Sequence, residues 1–74
     1  MGFGTSKAET AVLSVLAPGG MLTAAQIQRD AQLTGWGARR AIGQLESRGL
    51  IVAARYSARW SITPRGLART RGDR

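Results

Sequence analysis

From Ser6 to Leu16 the apolar positions Ala8, Val12, Val15 and Leu16 recur at spacings that share one face of a helix. "SKAE" at 6–9 opens it as a capping box, with a serine hydroxyl for the Glu9 backbone N–H and a glutamate reaching back. "APGG" at 17–20 closes it with proline and glycine chemistry. After "ML" at 21–22, which is long enough only for a brief strand, "TAAQ" at 23–26 repeats the capping signature and begins a short second helix that should bury Ala24, Ile27 and Ala31. Leu33 is expected to plug the core from the following turn. Thr34 then caps a third helix running to about Ser47, with Ala38, Ala41, Ile42 and Leu45 as its inward stripe and Gly49 as its left-handed stop. "LIVAARYSARWSI" at 50–62 has the β-branched and aromatic content of a hairpin that reverses near "YSAR", with Trp60 and Ile62 alternating inward. "TPRG" at 63–66 caps a short last helix with proline at its first position, and the helix is expected to continue through Leu67.

These elements predict a small α+β domain of three helices, a two-stranded hairpin and a short C-terminal helix. Its expected bounds are residues 7–68, between a flexible N-terminal segment at 1–6 and a basic tail at 69–74. A chain of 74 residues buries only about 60% of the surface its unfolded state exposes, so stability must rest on one modest core.

The outward surface of the third helix raises a question that stability does not answer. It carries Trp36, Arg39, Arg40, Gly43 and Gln44, and the helix also contains Gly35 and Gly37, although each glycine costs a helix up to about 1 kcal/mol relative to alanine. Two reasons are open: close approach to a ligand, or clearance for a neighbouring helix.

Charge narrows the choice. Residues 1–35 balance two bases against two acids, whereas residues 36–74 carry nine arginines against Glu46 and Asp73 and so hold the whole formal net charge of +7. Arginine's planar fork suits phosphate and guanine. There is no cysteine and no histidine, which removes the disulfide framework, the usual zinc, haem and iron–sulfur ligands and the commonest general acid–base. The four acids are too scattered for a paired-carboxylate site, and an enzyme is not expected. Neither is a cofactor. No apolar run approaches the roughly 20 residues of a membrane span, and no basic-then-apolar secretory start is visible, so a soluble protein is expected. "MGFGTS" formally fits an acylation pattern, but Ser6 has the better use as a cap.

Two segments carry a resemblance. "LESRGLI" at 45–51 resembles the L-E-x-x-G-L-[IV] segment that ends the recognition helix of MarR-type and related bacterial winged-helix regulators, and "SITPRG" at 61–66 resembles their L-T-x-x-G segment after the wing. They lie in the matching order, and the resemblance spans Lys7 to Ala68. It implies a winged helix-turn-helix, a sequence-specific double-stranded DNA-binding regulator, such as a repressor of bacterial, plasmid or phage origin, acting in the cytoplasm on the nucleoid. The third helix would enter the major groove. The residues that map onto DNA contacts are Thr34 and Gly35 at the helix start, Trp36, Arg39, Arg40, Gly43 and Gln44 on its outer face, and Arg55 and Arg59 on the wing. The wing arginines would hold backbone or minor groove. Trp36 could instead cover the wing or meet a second copy, and Arg65, Arg69, Arg71 and Arg74 would add nonspecific attraction. Arg48, beside Glu46, is expected only to complement the helix dipole. MarR-type proteins carry long flanking helices for dimerisation and ligand binding. None is visible here, so no small-molecule effector is expected, while pairing as a homodimer through the first helix, Phe3 or DNA is left open. The reading from another class is a winged-helix protein-interaction module.

Overall fold

The computed structural model describes residues 6–71, with side chains through residue 70. The acylation pattern before Ser6, Phe3 and the last arginine of the tail lie outside the described residues.

Seven elements follow in the order α1 (Lys7–Leu16), β1 (Leu22–Thr23), α2 (Ala24–Asp30), α3 (Gly35–Ser47), β2 (Ile51–Ala53), β3 (Arg59–Ile62) and α4 (Pro64–Arg71). Each expected helix start is present as a hydrogen-bonded cap. The Glu9 N–H donates to Ser6 Oγ (3.2 Å) while the Ser6 N–H donates to Glu9 Oε1 (3.1 Å). Thr23 and Gln26 repeat the reciprocal pair. Thr34 Oγ1 accepts from the Gly37 N–H at 3.0 Å.

In α1 the core stripe differs from the expected one. Val12, Leu13 and Leu16 are buried, Val15 and Ala8 are only half-buried, and Glu9 occupies the first position of the inward stripe at 4% exposure. A carboxylate holding a core position shifts the face by one residue, and only a partner makes that burial tolerable. The partner is Arg48, whose Nη1 lies 3.3 Å from Glu9 Oε1 across from the end of α3. Arg48 therefore does more than complement the α3 dipole: it fastens that helix end to the start of α1.

Ile27 of α2 is fully buried, Ala24 and Ala31 are half-buried, and Leu33 packs on the core from the turn as expected. Ala38, Ala41, Ile42 and Leu45 form the buried stripe of α3. The helix ends on Gly49 at φ 78°, where the Gly49 N–H donates to the Glu46 carbonyl (3.1 Å) and the Leu50 N–H to the Leu45 carbonyl (3.0 Å). That pair of bonds consumes two of the orphan carbonyls of the last turn and turns Leu50 and Ile51 into the core.

The sheet has three antiparallel strands rather than two, in the order β1-β3-β2. Leu22 lies opposite Trp60, and Ile51 opposite Ile62. Pairing with β3 makes a strand of Leu22–Thr23, one residue later than the expected "ML" at 21–22 and including the cap of α2; two residues could not sustain a strand alone. Trp60 and Ile62 are half-buried against the core. The indole N–H of Trp60 is buried and meets no acceptor among the described residues.

Helix α4 continues past Leu67 to Arg71. Its start explains the "TPRG" sequence. Thr63 Oγ1 accepts from the Gly66 N–H (3.1 Å), and its hydroxyl lies within donating distance of the Gly49 (2.7 Å) and Leu50 (3.0 Å) carbonyl oxygens. Gly66 is pressed so closely on this bend that an added Cβ would collide with the Leu50 carbonyl and come within 2.7 Å of Ile62 Cγ1.

Candidate nucleic-acid interface

Packing of α3 on α1 and α2 through its alanine, isoleucine and leucine stripe decides which side chains remain outside. Thr34, Gly35, Trp36, Arg39, Arg40 and Gly43 are exposed, and Gln44 is half-buried. Gln44 borders a recess of about 210 Å³ between α3 and the start of α1, shared with Arg40, Gly37, Ala41, Ser6, Ala8 and Glu9.

Trp36 is 69% exposed, too open to serve as a cover for the wing. The Arg40 guanidinium lies over its ring, 5.3 Å from the centroid. One turn apart on the helix, the two side chains form a single cationic plate, an arrangement worth about 0.5–1 kcal/mol at exposed sites and one that restricts how Arg40 can swing. Arg39 points about 100° away around the axis and has no ion-pair partner among the described residues.

The three glycines of α3 separate into different cases. A Cβ at Gly37 would lie 3.0 Å from Thr34 Oγ1, so glycine there leaves room for the helix's own cap. At Gly35 it would make ordinary contact with Gln28, the nearest atom being 3.7 Å away. At Gly43 it would meet nothing within 4 Å. Clearance for a neighbouring helix explains none of them, and at Gly43 nothing inside the molecule asks for glycine.

The wing tip spans 54–58, closed by the Ala54 N–H donating to the Arg59 carbonyl at 2.8 Å. Arg55 and Arg59 are both exposed, and Arg59 lies in register with Thr23. Tyr56, to which the sequence reading assigned no role beyond the reversal, stands at the tip with 93% exposure. Its place three residues past the strand, in the middle of the turn, was the available signal. Among the described residues no three or more acidic, cysteine or histidine side chains gather as a metal site, and no helix is long and apolar enough to cross a membrane.

Three helices, a strand-edged hairpin after the third, and a closing helix define a winged helix-turn-helix. A solved structure with the same architecture is a mutant of Lactococcus lactis ZitR. It superposes with a TM-score of 0.73 at 21% sequence identity, covering 89% of this chain and 48% of that one, so the present chain spans about half of its length. The likeness is one of fold. The residue types altered in that mutant are cysteine and histidine, and this chain contains neither. No protein-family model and no curated protein sequence matches the chain.

Proposed function

We propose that the protein is a sequence-specific double-stranded DNA-binding regulator, of the small bacterial, plasmid or phage kind. In this reading α3 enters the major groove with Arg39, the Trp36–Arg40 plate, Gly43 and Gln44 against base edges, and with Thr34 and Gly35 at a phosphate. Arg55 and Arg59 hold backbone or minor groove. The protein occupies an operator in the cytoplasm and excludes polymerase or a competing protein, without a small-molecule effector. The winged helix-turn-helix fold, shared with ZitR, and the resemblance of "LESRGLI" and "SITPRG" to MarR-type segments support this reading.

The observation that carries it is the outer face of α3. Two exposed guanidiniums, one of them stacked on an exposed indole, stand beside a glycine that nothing in the chain requires. A helix shaped only for stability would have alanine at Gly43 and no tryptophan in water.

Selection of bound duplexes from a random pool, followed by footprinting, tests the reading and yields the site. Arg39→Ala is expected to cost about 1–3 kcal/mol on the selected sequence and little on random duplex, as loss of a base contact should. Arg59→Ala is expected to weaken both alike and to make the salt slope shallower by about one phosphate's worth, 0.9. No enriched sequence together with a flat salt dependence would sink DNA binding in favour of the protein-interaction module.

A further inference from the structure

At the end of α3 remote from Thr34, a cleft of about 570 Å³ opens between that helix end and α4, lined by Arg48, Leu50, Arg65, Ala68 and Arg69. None of its arginines belongs to the interface described above. Thirteen residues of α3 put the cleft about 18–20 Å along the axis from the cap that begins the reading helix.

The electrostatics of this cleft are unfavourable to the chain by itself. Arg65 lies in the first turn of α4, the positive end of the helix dipole, and no acidic residue in that turn offsets it. Arg69 follows one turn later on the same face, and like charges at that spacing repel. Arg48 brings a third guanidinium from α3. Only Arg48 meets an anion, and that anion, Glu9 Oε1, already accepts the Ser6 N–H. Arg65 and Arg69 have no acidic partner among the described residues. The exposed methyl of Ala68 and the alkyl stems of Arg65 and Arg69 supply a small aliphatic floor between these charges, with Leu50 buried beneath it.

We propose that this cleft is a docking site for an acidic segment of a partner protein. Carboxylates would be held by the forks of Arg65 and Arg69, with an adjacent apolar side chain against Ala68 and the alkyl stems of those arginines. A second copy of this chain is a poor occupant, because copies of net charge +7 repel and the exposed acids among the described residues are the separate Asp30 and Glu46. A phosphodiester backbone would gain nothing from the aliphatic floor, which suits the mixed acidic and apolar side chains of a peptide. The proposal stands whether or not α3 reads DNA.

The probe is an end-blocked, fluorescein-labelled peptide of glutamate and leucine, followed by anisotropy with the wild-type chain, the Arg65→Gln/Arg69→Gln variant and the equal-charge variant Arg55→Gln/Arg59→Gln. The cleft variant should bind about tenfold or more weakly, as expected for losing charge-assisted hydrogen bonds, while the wing variant binds as wild type. Equal losses in the two variants would reduce the attraction to bulk charge, and no binding to the wild type would end the proposal. A cleft variant that loses more affinity for a short duplex than the wing variant does would assign the cleft to nucleic acid instead. Since the variants could be less stable, the isotope-labelled wild type is titrated with the same peptide: amide shifts centred on 48–50 and 65–69 are expected, and shifts centred on 36–44 would overturn the assignment.

Discussion

Gly43 is the residue at which fold and function can be pulled apart. Its Cβ position is empty space within 4 Å, and its backbone is ordinary helix, so alanine should fit without any rearrangement. Gly43→Ala is therefore expected to stabilise the free protein by up to about 1 kcal/mol, visible as a raised thermal midpoint, while weakening duplex binding through the lost close approach. A variant that gains stability and binds duplex undiminished would remove Gly43 from the interface. Glu9 shows the opposite relation between residue and environment. Its sequence neighbours announce a cap, and it is one, but the same side chain is buried and ion-paired to Arg48, thirty-nine positions away. The cap was legible from four residues. The ion pair depends on where α3 ends in space.

Among the elements, α3 was the most legible and α4 the least. The α3 stripe at Ala38, Ala41, Ile42 and Leu45 is a local periodicity, and burying it leaves Trp36, Arg39 and Arg40 outside whatever the stripe packs against. For α4 the capping threonine and first-position proline predict the start, but not the continuation to Arg71, since polar residues carry no inward pattern to follow. Nor does "TPRG" disclose why its last residue is glycine. The reason is the Leu50 carbonyl, brought against Gly66 by the bend that Gly49 makes after α3. Gly66→Ala should accordingly cost about 1–3 kcal/mol, as overpacking does, and lower the thermal midpoint by about 4 °C or more. If calorimetry showed Gly66→Ala melting with the wild type, the close approach of α4 to Leu50 would be mistaken. A brief strand after the first helix was expected, but not its place in the sheet: β1 pairs where β3 offers an edge, which makes three strands of the expected two.

On the scale of the whole molecule, charge and size oppose one another. The chain measures 33 × 24 × 20 Å and carries a formal +7, with Glu9–Arg48 the one ion pair among the described residues. At a screening length of about 10 Å in 0.1 M salt, its arginines still repel each other. Added salt should therefore raise the thermal midpoint of the free protein while it weakens duplex binding, two opposite trends read from one titration. A midpoint that falls with salt would mean that attraction, not repulsion, dominates the electrostatics of the fold.

Caps, stops and buried stripes involve residues three, four or seven apart, whose geometry within a helix is dictated by backbone stereochemistry, so the sequence by itself determined the helices, the hairpin, the inward face of α3 and the basic bias of the second half. Which distant groups meet was decided only when the elements packed: Glu9 with Arg48, Gly66 against Leu50, β1 beside β3, and Arg48, Arg65 and Arg69 around one cleft. Those meetings depend on the relative placement of whole elements, set by filling a shared core, and no short stretch of chain contains that information.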